Sequence, residues 1–143
     1  MDSPARITVT SDTSDGYLYY TIMYSDSNEI WRKNISSGES KLLYTTELGI
    51  VASLYRTNSG IYFLISGEEI QYGDASSGAR IIRDPYAGKI YKLNPDTGEC
   101  EVVYDDVNTH ILYLRISKNK IIVFCNEFGE NNEVITNRFI LNN

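Results

Sequence analysis

Histidine occurs once in these 143 residues and cysteine twice, and both shortages close off chemistry. With His110 alone there is no multi-histidine metal site, and a Ser-His-Asp triad would have to pass through that one residue. It heads an apolar stretch and reads as structural or solvent-facing. Cys100 and Cys125 supply neither a disulfide framework nor four metal-ligating thiols; each lies in an apolar strand-like run, where cysteine acts as a small buried hydrophobe. Basic residues are outnumbered 13 to 19, and a net charge of −6 has the wrong sign for gripping phosphate backbones, so nucleic acid is not an expected partner. No apolar run approaches the roughly 18 residues of a membrane span, and Met1-Asp2-Ser3-Pro4 carries neither the basic nor the apolar region of a leader. The glycines from 73 to 78 lack the Lys and following helix of a phosphate-cradling loop, so no cofactor is expected.

Proline and methionine are also scarce, at three and two, against twelve tyrosines. Aromatic enrichment alongside Ile and Val favours strands over helices. Apolar residues at 42% and charged residues at 22% are ordinary for a globular chain, and the length suits one domain spanning 1–143.

An internal repeat organises that domain. Residues 29–44, EIWRKNISSGESKLLY, stand above residues 89–104, KIYKLNPDTGECEVVY, at a constant offset of 60. Both contain an Ile-aromatic-base strand ending at Asn, a turn with Gly38 or Gly98, and a returning strand closed by Tyr. A second landmark precedes each hairpin, at 16–20 and 60–64, with a third version at 120–124. Aligning Gly16 with Gly60 gives an offset of 44, which places a 16-residue insertion in the Gly- and Ser-rich segment 66–88, read as a long loop. Further strands at 7–10, 50–55 and 111–116 bring each unit to four. Repeats of about 5–47, 48–106 and 107–143, the last one strand short, give eleven strands.

The runs 17–24 and 61–65 are apolar or aromatic almost throughout instead of alternating, the mark of a strand buried on both faces. Four-stranded sheets stacked face to face are the blades of a β-propeller, so the expected fold is all-β, a partial propeller of about three four-stranded antiparallel blades. The runner-up is a β-sandwich or barrel. At Ile30-Trp31-Arg32-Lys33-Asn34 with Ser37-Gly38-Glu39, and at Ile90-Tyr91-Lys92-Leu93-Asn94-Pro95-Asp96-Thr97-Gly98-Glu99, the chain resembles bacterial propeller repeats of the TolB-like, WD-like and low-density-lipoprotein-receptor-like families. The resemblance implies binding of a protein or a carbohydrate at the channel mouth. Three blades cannot close a ring that needs at least four. Either the chain is part of a longer propeller, or two copies form a homodimer that closes a six-bladed ring by twofold symmetry.

The remaining candidates are weighed against plainer readings. Asp12, Asp15 and the Asp105-Asp106 pair offer oxygens to calcium but follow no calcium-loop spacing, and Asp beside Gly is more often a turn residue. Asn34-Ile35-Ser36 is formally a glycosylation acceptor, yet Asn94 holds the same place in the next hairpin. Trp31 suits stacking on a sugar, while its counterpart Tyr91 argues for packing between blades. The insertion carries Tyr72, Arg80, Arg83, Asp84 and Tyr86, the aromatic and arginine mixture of binding hot spots. These are the expected ligand-binding residues of a non-catalytic binding or assembly module that meets a protein or glycan. The alternative is a hydrolase or lyase working on carbohydrate with two carboxylates at the channel mouth.

Overall fold

The computed structural model describes residues 6–9, 15–47, 49–66, 70–72, 81–83, 88–129 and 133–142. Among these, every helix or strand assigned is a β-strand. The first four are β1 (Arg6–Val9), β2 (Tyr17–Met23), β3 (Asn28–Asn34) and β4 (Ser40–Thr46). Next come β5 (Ile50–Thr57), β6 (Gly60–Ser66), β7 (Ile70–Tyr72), β8 (Ile81–Arg83), β9 (Lys89–Leu93) and β10 (Cys100–Asp105). The chain closes on β11 (Thr109–Ser117), β12 (Lys120–Phe128) and β13 (Val134–Ile140). Strands β1 to β4 make one antiparallel sheet in chain order, β5-β6-β9-β10 a second, and β11-β12-β13 a third of three strands. No described helix is long and apolar enough to cross a membrane.

These three sheets hold the eleven strands expected. Two more occur within the insertion, where composition alone predicts a long loop: β7 and β8 pair with each other, Ile70 opposite Arg83 and Tyr72 opposite Ile81. Two short triplets, Ile-Gln-Tyr and Ile-Ile-Arg, pair across a Gly- and Ser-rich stretch instead of leaving an unpaired excursion.

The two hairpins that match in sequence share their hydrogen bonds. Asn34 Oδ1 accepts from the amides of Ser36 and Ser37 at 3.0 and 3.1 Å, and Asn94 Oδ1 from those of Asp96 and Thr97 at 2.9 and 3.2 Å. The Gly38 amide donates to Asn34 O and the Gly98 amide to Asn94 O, with the glycines at φ 77° and 75°, a region costly for residues with a Cβ. Even the bulges recur: one extra residue separates Ile30 and Trp31 from Tyr44 and Leu42, as another separates Ile90 and Tyr91 from Tyr104 and Val102.

Strand register corrects the alignment of the landmarks. Tyr20 lies opposite Trp31 as Phe63 lies opposite Tyr91, an offset of 43, not 44, which makes the insertion 17 residues long. The glycines misled because they do different work. Gly16 turns the chain at φ 83°, whereas Gly60 already belongs to β6, beneath the aliphatic stem of Lys92.

Strand β6 shows why its run is apolar throughout. Ile61, Phe63 and Ile65 enter one core with Tyr19, Ile30 and Leu43 of the first sheet; Tyr62 and Leu64 enter another with Leu114, Ile121, Val123 and Cys125 of the third. The second sheet is thus packed on both faces. Strand β2 was expected to match it and does not: Tyr19 and Thr21 are buried toward the second sheet, but Leu18, Tyr20 and Ile22 are only half-buried, because no described sheet lies over them. Polar ties join the layers. Asn28 Nδ2 donates to Gly49 O, the Leu114 amide to Ser53 Oγ at 3.2 Å, and the Asn58 amide to Asn119 Oδ1 at 2.7 Å. Each such bond contributes roughly 1 kcal/mol, so apolar burial dominates the stacking.

Candidate functional site

The five residues singled out in the insertion divide as follows. Tyr72 and Arg83 lie on β7 and β8, while Arg80, Asp84 and Tyr86 lie outside the described residues. Because β6 pairs directly with β9, the β7–β8 hairpin leaves the second sheet at one end and belongs to none of the three stacked sheets.

A polar cluster ties the first sheet to the second. Asp15 Oδ2 accepts a 2.6 Å hydrogen bond from Tyr19 Oη and one of 3.2 Å from Arg56 Nε, while Oδ1 accepts from the Tyr17 amide. The Arg56 guanidinium also lies 5.8 Å from the centre of the Tyr19 ring and donates to Thr57 O. Burial pushes the Asp15 carboxyl up, but the bonds from Tyr19, Tyr17 and Arg56 outweigh it and hold it below its ordinary value. Tyr19 is pushed up to about 12, first by burial and then by its bond to Asp15, with Arg56 opposing. This is a clamp between layers, with both Asp15 oxygens and the Tyr19 hydroxyl already engaged.

The sign of its pH dependence follows. A phenol with a higher pKa folded than unfolded holds its proton more tightly in the folded state. The stability it contributes is complete below its unfolded value near 10 and drains as pH climbs toward about 12. Thermal melts between pH 9 and 12 are expected to fall less steeply for Tyr19→Phe than for the wild type; equal slopes would place the alkaline sensitivity elsewhere. At the acid end, the contribution of Asp15 is lost as pH falls through its lowered pKa.

A concavity of about 410 Å³ is lined by Ser59, Lys92, Asn94, Glu99, Cys100 and Glu101. One of about 180 Å³ is lined by Tyr17, Arg32, Asn34, Glu39, Ser40 and Lys41. Five residues of each set correspond at the offset of 60, so the hollow belongs to the hairpin architecture. Two carboxylates, Glu99 and Glu101, share the larger one, but both come from a single segment, and the second is replaced by Lys41 in the smaller. Burial raises the Cys100 thiol above its ordinary value against a hydrogen bond from Tyr44, which leaves it a weak nucleophile there. Cys125 is fully buried and is raised by burial as well.

The other candidates resolve into local structure. Asp106 receives the Asn108 amide at 2.9 Å and the Thr109 hydroxyl at 3.0 Å, and so shapes the turn between β10 and β11. Asp105 ends β10, exposed. His110 is half-buried on β11 opposite Asn126, and Asp12 lies outside the described residues. Among the described residues no three His, Cys, Asp or Glu side chains gather as metal ligands would.

The largest unexplained features are two sheet faces, each with an aromatic and aliphatic centre flanked by charged residues. The second sheet turns a backward face to the first sheet and a forward face to the third, and the faces of the outer sheets are named by correspondence with it. The first sheet's backward face presents Leu18, Tyr20, Ile22 and Trp31, with Tyr20 and Trp31 stacked at 6.4 Å and 10°, flanked by Lys33 opposite Leu18 and Glu29 opposite Ile22. The third sheet's forward face presents Ile122, Phe124, Ile140 and Tyr113, with Tyr113 and Phe124 stacked at 4.6 Å and 16°, beside Arg115 opposite Ile122 and Arg138 opposite Phe124. Ile140 is 52% exposed and Tyr113 40%. No described sheet covers either face. Strand β13 has in addition no described neighbour on its outer edge. The sequence held the signal for the first face, since Trp31 corresponds to Tyr91, but a residue's partner across layers is not written in its own strand.

No protein-family model matches the chain, and no curated protein matches it in sequence.

Proposed function

We propose that the chain is an arc of three β-propeller blades and works as a non-catalytic binding or assembly module for a protein or a glycan. The observation that carries this reading is the second sheet, packed on both faces between two others, with a hairpin inserted between β6 and β9 that stands outside the stack. Three layers sharing two cores favour stacked blades over a two-layer sandwich. Insertions on a rigid scaffold are where recognition tends to sit, and this one supplies Tyr72, Arg80, Arg83, Asp84 and Tyr86. The described polar groups support binding more than chemistry: the Asp15 carboxylate already accepts from Tyr17, Tyr19 and Arg56, and the larger concavity recurs with the hairpin.

Removing residues 70–84 tests the assignment. On arrays of immobilised glycans and peptides, the shortened chain is expected to lose whatever capture the intact chain shows. Its melting temperature should stay within about 3 °C, because β7 and β8 form a sheet of their own and their removal leaves the strand pairing of the three larger sheets intact. Undiminished capture would move the binding surface off the hairpin, and turnover of a captured glycan would overturn the non-catalytic reading.

A further inference from the structure

The pair Tyr20–Trp31 on the open backward face of the first sheet has a counterpart inside the molecule. Phe63 and Tyr91 occupy the corresponding positions of the second sheet and are stacked in the same way, at 5.4 Å and 16°. There the first sheet covers them, leaving Phe63 0% and Tyr91 8% exposed. The same holds in the other direction. Phe124 and Ile122 on the third sheet's open forward face correspond to Leu64 and Tyr62 of β6, which the third sheet buries. Each internal junction therefore seats a forward face on the next sheet's backward face. The two faces left over at the ends are one of each kind.

We infer that the open backward face of the first sheet docks the open forward face of the third sheet of a second copy, two chains closing head to tail into one ring of six sheets. This rests on the blade reading above. A second copy fits because it supplies a forward face of the kind that already covers Tyr91. Twofold symmetry makes two identical junctions and leaves neither face open. The burial of aromatic pairs in two junctions at once gives the closed form its advantage over a single contact.

Trp31 is the only tryptophan, so its fluorescence reports the covering of this face directly. By sedimentation velocity the chain is expected to run at twice its 16.2 kDa, with Trp31 emission moving to shorter wavelength as concentration rises. Tyr20→Glu on one face and Phe124→Glu on the other should each raise the dissociation constant at least about tenfold, since each side chain lies at the centre of a junction. The milder Tyr20→Ala and Phe124→Ala repeat the comparison if a charge unfolds the chain. A single-chain mass at about 100 µM would overturn the proposal and leave the faces to further sheets or another protein. So would a dimer that survives either substitution, or a mass that climbs without limit. Circular dichroism on the same samples separates the two readings: a folded monomer sinks the docking alone, whereas an absent β signature sinks the blade stack.

Discussion

Replacing Phe63 with alanine is expected to destabilise the protein by about 3–5 kcal/mol, the range for truncating a fully buried aromatic. Phe63 is 0% exposed at the centre of the core between the first two sheets, stacked on Tyr91 and tilted against Tyr44 at 5.9 Å and 50°. Both neighbours come from opposite layers, Tyr44 from β4 and Tyr91 from β9, so the cavity opens where the sheets meet and neither can close it alone. At roughly 3 °C per kcal/mol for a chain of this size, the melting temperature should fall by about 10 °C or more. Ile135→Ser on β13 supplies the contrast. Ile135 is 55% exposed and belongs to neither core, so its loss should stay within about 0.5 kcal/mol. Equal effects at the two positions in urea titrations would mean that the second sheet is not the centre of the packing.

The difference between those two residues was partly legible in the sequence. The run 61–65 has no polar position, and such a strand needs a layer on each side, which β6 has. The hairpins were legible because Asn34 and Asn94 make the same bonds to their own turns, so the information is local. The run 17–24 looked equivalent, yet one of its faces has no described cover. Apolar composition says that a face wants burial, not that a partner lies within the chain. The insertion was harder to read, since triplets as short as Ile70–Tyr72 and Ile81–Arg83 fall below the length at which alternation is visible. The clamp of Asp15, Tyr19 and Arg56 was missed for the same reason as the open faces. Its members are 41 residues apart at the widest and meet only because the first two sheets stack.

Gly88→Ala should be the most disruptive substitution among the described glycines, at about 3 kcal/mol, the upper end of the usual overpacking range. Gly88 precedes β9, and its carbonyl accepts the Asp106 amide at 3.0 Å. A Cβ built there runs into the backbone carbonyl of Asp106 and comes within 2.9 Å of Thr109 O. Neither obstacle can rotate aside, because both belong to the main chain of the turn that carries the chain from the second sheet into the third. That turn is also held from within, by the bonds Asp106 receives from Asn108 and Thr109. The added methyl must therefore push the whole turn and loosen the start of β11, whose Ile111 packs into the second core. Gly129→Ala separates crowding from the general cost of losing a glycine, since its Cβ would meet only ordinary contacts of 3.6 Å or more, to Glu133. Hydrogen exchange should accordingly quicken across residues 107–114 in Gly88→Ala and stay unchanged in Gly129→Ala. Unaltered protection in both would show that the turn yields without disturbing the third sheet, and that the junction between those sheets is softer than its contacts indicate.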